Sequence, residues 1–259
     1  MKKTLLEPLY VELTAVVLLS LMFFVANAQA QVDSDNDGFT DLQESAGITL
    51  ANGTIFPSCP AGALVTDPCV HQLSPDLFVI LTPASPTLMP ANPLAILLNL
   101  TANLGVHRIN SGQAATDRTV SPAISPQKAV SVTESLDTNA TDWGRSPFQG
   151  TPNSAGLATV FTQRIKNAIA SAYQQAGVVN LTQQQADTDN CVRQVTAHEI
   201  GHGTAIASVN NSRYGGNHYS TSSQVVMSQT ATITTKPGKV TIICPNTYAS
   251  PDATSFKLK

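Results

Sequence analysis

Charged side chains are scarce in this chain of 259 residues. Asp, Glu, Lys and Arg together make up 12% of it, whereas about 25% is usual for globular proteins. Uncharged polar residues fill the difference, with 29 Thr, 22 Ser, 16 Asn and 16 Gln. This composition excludes a charge-rich disordered chain, a long coiled coil and a basic nucleic-acid binder. The hydrophobic share of 42% provides material for a core, and the net charge is −3. The mixture as a whole suits an extracellular or periplasmic globular protein.

The N-terminus has the features of a secretory signal peptide. Lys2 and Lys3 precede an apolar run over residues 13–25, and small residues follow at 26–30. This run is shorter than the roughly 20 residues that cross a bilayer, which favours cleavage over an uncleaved anchor. We therefore expect residues 1–30 to be removed, and the mature chain to be secreted or periplasmic without a membrane span.

The four cysteines all lie beyond this segment. An even number in an oxidising compartment predicts two disulfides. Three pairings are possible, of which the local choice joins Cys59 to Cys69 and leaves Cys191 for Cys244. No Cys-x-x-Cys pair occurs, so a cysteine metal site is disfavoured.

An acidic loop opens the mature chain. Residues 33–44 read DSDNDGFTDLQE, the spacing of a twelve-residue Ca²⁺ loop that has oxygen ligands at alternate positions and Gly at position six. A single isolated loop favours a structural role over a sensing one. The segment resembles the aspartate-rich repeats of thrombospondin type 3 and other EF-hand-like sites. The predicted ligands are the carboxylates and one backbone carbonyl, from Asp33, Asp35, Asp37, Phe39, Asp41 and Glu44.

Hydrophobic periodicity predicts an α+β chain. Strands are predicted at 76–81, 106–109 and 129–134, with a helix between Asn92 and Gly105. An amphipathic helix is predicted over 157–176, and another helix starting near 187–189. We expect three parts, namely a signal peptide (1–30), a calcium-loop and disulfide-stapled extension (31–75) and one larger domain (76–259).

The last predicted helix carries the strongest chemical motif, His198-Glu199-x-x-His202. Residues four apart share one face of a helix, so both histidines can reach one Zn²⁺ ion. In zinc-assisted hydrolysis the metal polarises a carbonyl and lowers the pKa of its bound water, and a carboxylate takes the proton. The motif therefore predicts His198 and His202 as ligands and Glu199 as general base.

Composition narrows the choice of a third zinc ligand. Catalytic zinc usually has three protein ligands and one open position. No Glu follows Glu199, the only later acid is Asp252, and the only later His is His218. Paired glycines precede His218 and permit a sharp reversal of the chain after the helix, which favours His218 as the third ligand.

Together these residues resemble the metzincin zinc peptidases, whose pattern is HExxHxxGxxH followed by a Met-containing turn. Gly215 and His218 match the GxxH part, although twelve residues separate His202 from Gly215 where the family has two. Met227 matches the Met turn. The resemblance implies a zincin-like domain with a mixed sheet and an active-site helix. Tyr219 is expected either to stabilise an oxyanion or to line the site as a packed aromatic residue.

Two classes of function follow from these motifs. The leading hypothesis is a secreted zinc metalloendopeptidase that acts on a protein or peptide substrate, with no nucleic-acid partner. The alternative is a non-enzymatic, calcium-dependent surface or matrix protein whose zinc site is structural or degenerate. An open groove beside His198 and Glu199 favours the first, and a buried one the second. A serine-hydrolase site is disfavoured because no G-x-S-x-G motif occurs.

Overall fold

The computed structural model describes most of the chain after the N-terminal segment, namely residues 32–64, 66–100, 103–146, 157–204, 224–228 and 231–249, with Asp252 and Leu258. The predicted signal peptide and the predicted roles of Gly215, His218 and Tyr219 lie outside the described residues. Within those ranges, no helix has both the length and the apolar character needed to cross a membrane.

Most strands of the described ranges precede the two long helices, and a hairpin follows them. The α-helices there are α1 (Asp41–Ala46), α2 (Thr162–Ala176) and α3 (Leu181–Gly203). Short 3₁₀ turns lie at Ala95–Asn99 and Ser111–Gln113. The strands are β1 (Ile48–Thr49), β2 (Ile55–Phe56), β3 (Asp76–Thr82), β4 (Gly105–Ile109), β5 (Thr119–Ser121), β6 (Ser125–Lys128), β7 (Val130–Ser135), β8 (Gly144–Arg145), β9 (Leu157–Phe161), β10 (Thr232–Lys236) and β11 (Lys239–Ile243).

A five-stranded mixed sheet organises the chain, with strand order β4-β3-β7-β9-β8. The first four strands run parallel to one another, and β8 pairs antiparallel with β9. Strand β3 is buried from Asp76 to Leu81, as its continuous apolar run predicts for a strand covered on both faces. The chain thus has mixed α and β structure with a mixed sheet, as the sequence predicted.

Different segments cover the two faces of the sheet. Because successive strand residues face opposite sides, Leu77 and Val79 lie in one core and Phe78 and Ile80 in the other. The first core is shared with the long helices, through side chains such as Ile165, Ile169, Val195 and Ile200. The second core is shared with residues from the N-terminal segment, namely Phe39, Ile48, Leu50 and Val70.

The helix predicted over 157–176 starts later than expected. Residues 157–161 form β9, in which Ala158 pairs with Val132 and Val160 with Glu134 of β7. In so short a window the apolar spacing fits both a strand and a helix, and the β-branched Thr159 and Val160 favour the strand. Helix α2 then ends where predicted, with Gly177 in the left-handed conformation at φ 65°.

Two other predicted helix boundaries are also wrong. Helix α3 begins at Leu181, before the predicted start near 187–189, because the Asn180 side chain caps it by accepting from Gln183 N at 3.0 Å. Gln183 and Asp187 then form a side-chain hydrogen bond one turn apart. In the region between Asn92 and Gly105, where a helix was predicted, the described residues form the 3₁₀ turn Ala95–Asn99 and no α-helix.

Both disulfides follow the local pairing. Cys59–Cys69 closes a short loop in the N-terminal segment, and Cys191–Cys244 joins α3 to the residue after β11. The hairpin β10–β11, which the sequence analysis did not predict, reaches the end of α2, where Gly238 N donates to Ala176 O at 2.7 Å. The second disulfide and the hairpin therefore hold the C-terminal segment on the two long helices.

Candidate metal and catalytic site

The two histidines of the motif meet on one face of α3. His198 Nε2 and His202 Nε2 lie 3.1 Å apart, and both side chains are largely buried. Two imidazole nitrogens at this distance can share either one proton or one metal ion. The i, i+4 spacing thus produces the convergence that the sequence predicted, and these nitrogens fit Zn²⁺, which prefers imidazole donors.

A backbone carbonyl fixes the ring of His198. The Val226 carbonyl accepts from His198 Nδ1 at 2.8 Å and from Gln194 Nε2 at 2.9 Å. Because a carbonyl only accepts, Nδ1 carries the proton of the neutral ring, and Nε2, which faces His202, is the nitrogen that can bind a metal. Sequence reasoning missed Gln194 and Val226, although Gln194 lies one helical turn before His198 on the same face.

Met227 lies in the turn that supplies this carbonyl. The turn is closed by Ser228 N donating to Val225 O at 2.9 Å, and Val226 N donates to Thr247 O at 2.8 Å. The Met227 side chain is fully buried in the core that contains α3. The structure thus brings the predicted Met-turn segment to the histidines.

A cleft of about 530 Å³ lies beside the histidines. One described wall is the segment 141–146, which contains the edge strand β8, and another is α3. The cleft is also lined by His198, Glu199 and His202 themselves, and by Ser228 and Ala231.

Glu199 faces the same cleft but is otherwise enclosed. Burial raises the pKa of its carboxyl to about 8, and the Asp142 charge adds to the shift. Gly144 of β8 packs directly on it. A Cβ at position 144 would lie 2.6 Å from Val195 Cγ1 and closer still to Glu199 Oε1, so only glycine leaves room for this carboxylate.

The predicted calcium loop is folded as a tight turn around its own carboxylates. Gly38 has φ 105°, the left-handed region in which glycine is favoured. The Asp33 carboxylate accepts from Asp37 N and Gly38 N, each at 3.2 Å. Ligand atoms of Asp33, Asp35 and Asp37 lie within 4.8 Å of one another.

A second acidic group shares Asp37 with this loop. Ligand atoms of Asp37, Glu44 and Asp76 also lie within 4.8 Å of one another, and all three side chains are buried. Asp76 is the first residue of β3 and was not among the predicted ligands. Its sequence signal is an acid at the head of an otherwise apolar strand.

Burial leaves these carboxyls difficult to ionise. It raises the pKa of Glu44 to about 10 and that of Asp37 to about 8, with neighbouring carboxylates adding to both shifts. It also raises the pKa of Asp35 to about 7, although the Asp37 backbone N–H opposes that shift. A bound cation would offset both the desolvation and the repulsion.

The remaining predicted calcium ligands are arranged differently. Asp41 accepts from Ser34 N at 2.9 Å and from Ser34 Oγ at 2.7 Å, and it belongs to neither acidic group. Phe39 N donates to Asp37 Oδ1 at 2.8 Å, and its ring is buried in the second core. Of the predicted carboxylates, those of Asp33, Asp35, Asp37 and Glu44 are therefore brought together.

No protein-family model matches this chain, and no curated protein or solved structure is significantly similar to it.

Proposed function

We propose that this protein is a secreted, zincin-like metalloendopeptidase. The observation that carries the proposal is the convergence of His198 Nε2 and His202 Nε2 at 3.1 Å beside an open cleft that Glu199 also lines. The cleft favours catalysis over the alternative of a degenerate zinc site in a non-enzymatic surface protein. Two disulfides support an oxidising compartment.

Each residue of the site has a defined task in this proposal. His198 and His202 hold Zn²⁺, with His218 as the proposed third ligand. When bound, zinc supplies a Lewis acid that polarises the scissile carbonyl. Glu199 accepts the proton of the attacking water and passes it to the leaving amine. Tyr219 remains a proposed oxyanion donor or wall residue.

Strand β8 supports a peptide substrate because it places a sheet edge beside the cleft. It is the last strand of the described sheet and borders the cleft. An extended peptide can add to a sheet edge through main-chain hydrogen bonds. Such an alignment supports a peptide substrate whose scissile bond lies next to α3.

The decisive experiment measures zinc content and peptide-library cleavage in the same preparations. We expect one zinc per chain in wild type and cleavage that stops on chelation. Glu199→Gln should retain zinc and lose at least about 100-fold in kcat, whereas His198→Ala should lose the metal. Wild-type zinc content in His218→Ala would exclude His218 as a ligand, and full cleavage by Glu199→Gln would exclude the mechanism.

A further inference from the structure

The acidic loop and the head of β3 meet at one buried point. Asp37 belongs both to the group with Asp33 and Asp35 and to the group with Glu44 and Asp76. Four of these five carboxylates come from the loop, and Asp76 comes from the central sheet. The carboxylates are therefore arranged so that one cation can contact both the acidic loop and β3.

Three carboxylate oxygens of this cluster accept no hydrogen bond from the described residues. Glu44 is fully buried, and neither of its carboxylate oxygens has a hydrogen-bond partner in the part of the chain that the structure describes. The same holds for Asp35 Oδ2. Buried oxygens without a donor are costly, so these three atoms are suited to bind a cation.

Asp76 is held in place by its surroundings. His107 Nε2 lies 2.5 Å from Asp76 Oδ1, and His71 N donates to Asp76 Oδ2 at 2.8 Å. Each carboxylate oxygen keeps a second lone pair that can bind a cation. Partners of this kind orient metal-binding carboxylates in proteins.

A buried amide joins the same two segments. Gln127 Nε2 donates to Asp37 O at 2.7 Å and to Asp76 O at 2.9 Å. Asp76 N in turn donates to Asp37 Oδ2 at 2.9 Å. The backbone is thus already organised to keep the loop and the strand at a fixed separation, as a rigid cation site requires.

We propose that a Ca²⁺ ion is bound jointly by the acidic loop and by Asp76, and that it clamps the N-terminal segment to β3. A cluster of oxygen donors alone, with several carboxylates, suits Ca²⁺, which takes six to eight such ligands. Asp76 supplies a carboxylate from outside the loop, while Asp41 is engaged by Ser34. The clamp is independent of the proposed peptidase activity.

The first test titrates the calcium-free full chain with Ca²⁺ by calorimetry. Asp76→Asn and Glu44→Gln should each weaken binding at least about 10-fold, because each removes a charged ligand. Asp67→Asn, a like change at an acid outside both groups, should bind as wild type does. Unchanged affinity in Glu44→Gln would overturn the site, as would equal affinity of the wild type for Mg²⁺.

Thermal unfolding tests whether Glu44 is a calcium ligand or only a structural residue. Without calcium, Glu44→Gln should be at least as stable as wild type, because it removes a buried carboxylate that has no donor. At the same calcium concentration it should gain less stability than wild type, because it binds the ion more weakly. A variant that is stabilised by calcium as strongly as wild type would contradict the proposal.

Hydrogen exchange on the wild-type chain tests the role of Asp76 even where Asp76→Asn does not fold. Calcium should slow amide exchange at the head of β3 as well as in residues 33–44. Protection confined to the loop would overturn the clamp. None of these measurements uses peptide cleavage, so their outcome is independent of the zinc proposal.

Discussion

At the scale of single residues, the candidate zinc site depends on contacts that lie outside the motif. The Val226 carbonyl determines which nitrogen of His198 carries the proton. Gln194 binds the same carbonyl and holds it on α3. The motif itself supplies the spacing of the histidines, but a neighbouring turn and a side chain one helical turn earlier orient His198.

Gly144 is the residue-scale contact that a substitution can test most sharply. Gly144→Ala would press a methyl group against Glu199 Oε1 and Val195 Cγ1 and displace the proposed base. A displacement of about 1 Å can cost on the order of 100-fold in rate, so we expect kcat/KM for peptide cleavage to fall about 10- to 100-fold.

The zinc content of Gly144→Ala should stay at the wild-type level, because neither histidine is touched. The matched control is Gly112→Ala, in the 3₁₀ turn between β4 and β5, where the nearest atom to an added Cβ is Asn110 Oδ1 at 3.3 Å. Full activity in Gly144→Ala would show that the contact does not position Glu199.

At the scale of elements, Glu134 of β7 connects the loop after β3 to the start of α2. Its carboxylate is buried and accepts from Ala84 N, Thr87 Oγ1, Leu88 N and Thr162 Oγ1, at 2.9, 2.5, 2.6 and 2.8 Å. Burial by itself would raise the pKa of Glu134, but these hydrogen bonds outweigh it and hold the pKa below its ordinary value.

Replacing this carboxylate should destabilise the fold in a pH-dependent way. Hydrogen bonds to a charged group contribute about 1.5–3 kcal/mol each, and in Glu134→Gln an amide NH₂ would face donors. We expect the free energy of unfolding at neutral pH to fall by about 2–3 kcal/mol, measured by denaturant titration.

The sign of the pH dependence follows from the lowered pKa. The unfolded chain binds more protons at Glu134 than the folded chain, so this stabilisation is complete above the ordinary Glu pKa of about 4.3. It is lost as pH falls through the lower pKa of the folded state. The gap between wild type and Glu134→Gln should therefore narrow in acid. Asp137→Asn, at an exposed acid two residues after β7, is the control, and a gap that widens in acid would contradict the argument.

The elements also show how far sequence reasoning extends. Strand β3 was predictable because its apolar run is continuous. The convergence of His198 and His202 was also predictable, because residues four apart share one face wherever a helix forms. Residues 157–161 were misassigned because their apolar spacing fits both a strand and a helix, and their pairing with β7 arises only in the fold. Hairpin β10–β11 had a local signal, Pro237-Gly238 between two alternating runs. No local sequence signal specified the partners of Asp76, because Glu44 and Asp37 are brought close to it only when the chain folds.

At the scale of the whole molecule, the N-terminal segment packs against one face of the sheet. A largely parallel sheet is normally covered on both faces. Here α2 and α3 cover one face, and the segment that carries the acidic loop covers the other. The loop therefore begins a layer of the core, and the proposed Ca²⁺ clamp would lie where that layer joins β3.

A substitution at Phe39 can test whether the N-terminal segment folds together with the sheet. Its ring is fully buried and packs edge-on against Phe78 of β3, with ring centroids 5.9 Å apart. Truncating a buried Phe costs about 3–5 kcal/mol, so Phe39→Ala should lower the free energy of unfolding by that amount. Leu42→Ala, which alters an exposed apolar side chain in α1, should change the free energy of unfolding by less than about 0.5 kcal/mol.

In calorimetric scans of Phe39→Ala with saturating Ca²⁺, we expect one cooperative transition that moves as a whole to lower temperature. If Phe39→Ala instead produced a separate early transition and left the main one in place, the N-terminal segment would be an independently unfolding extension.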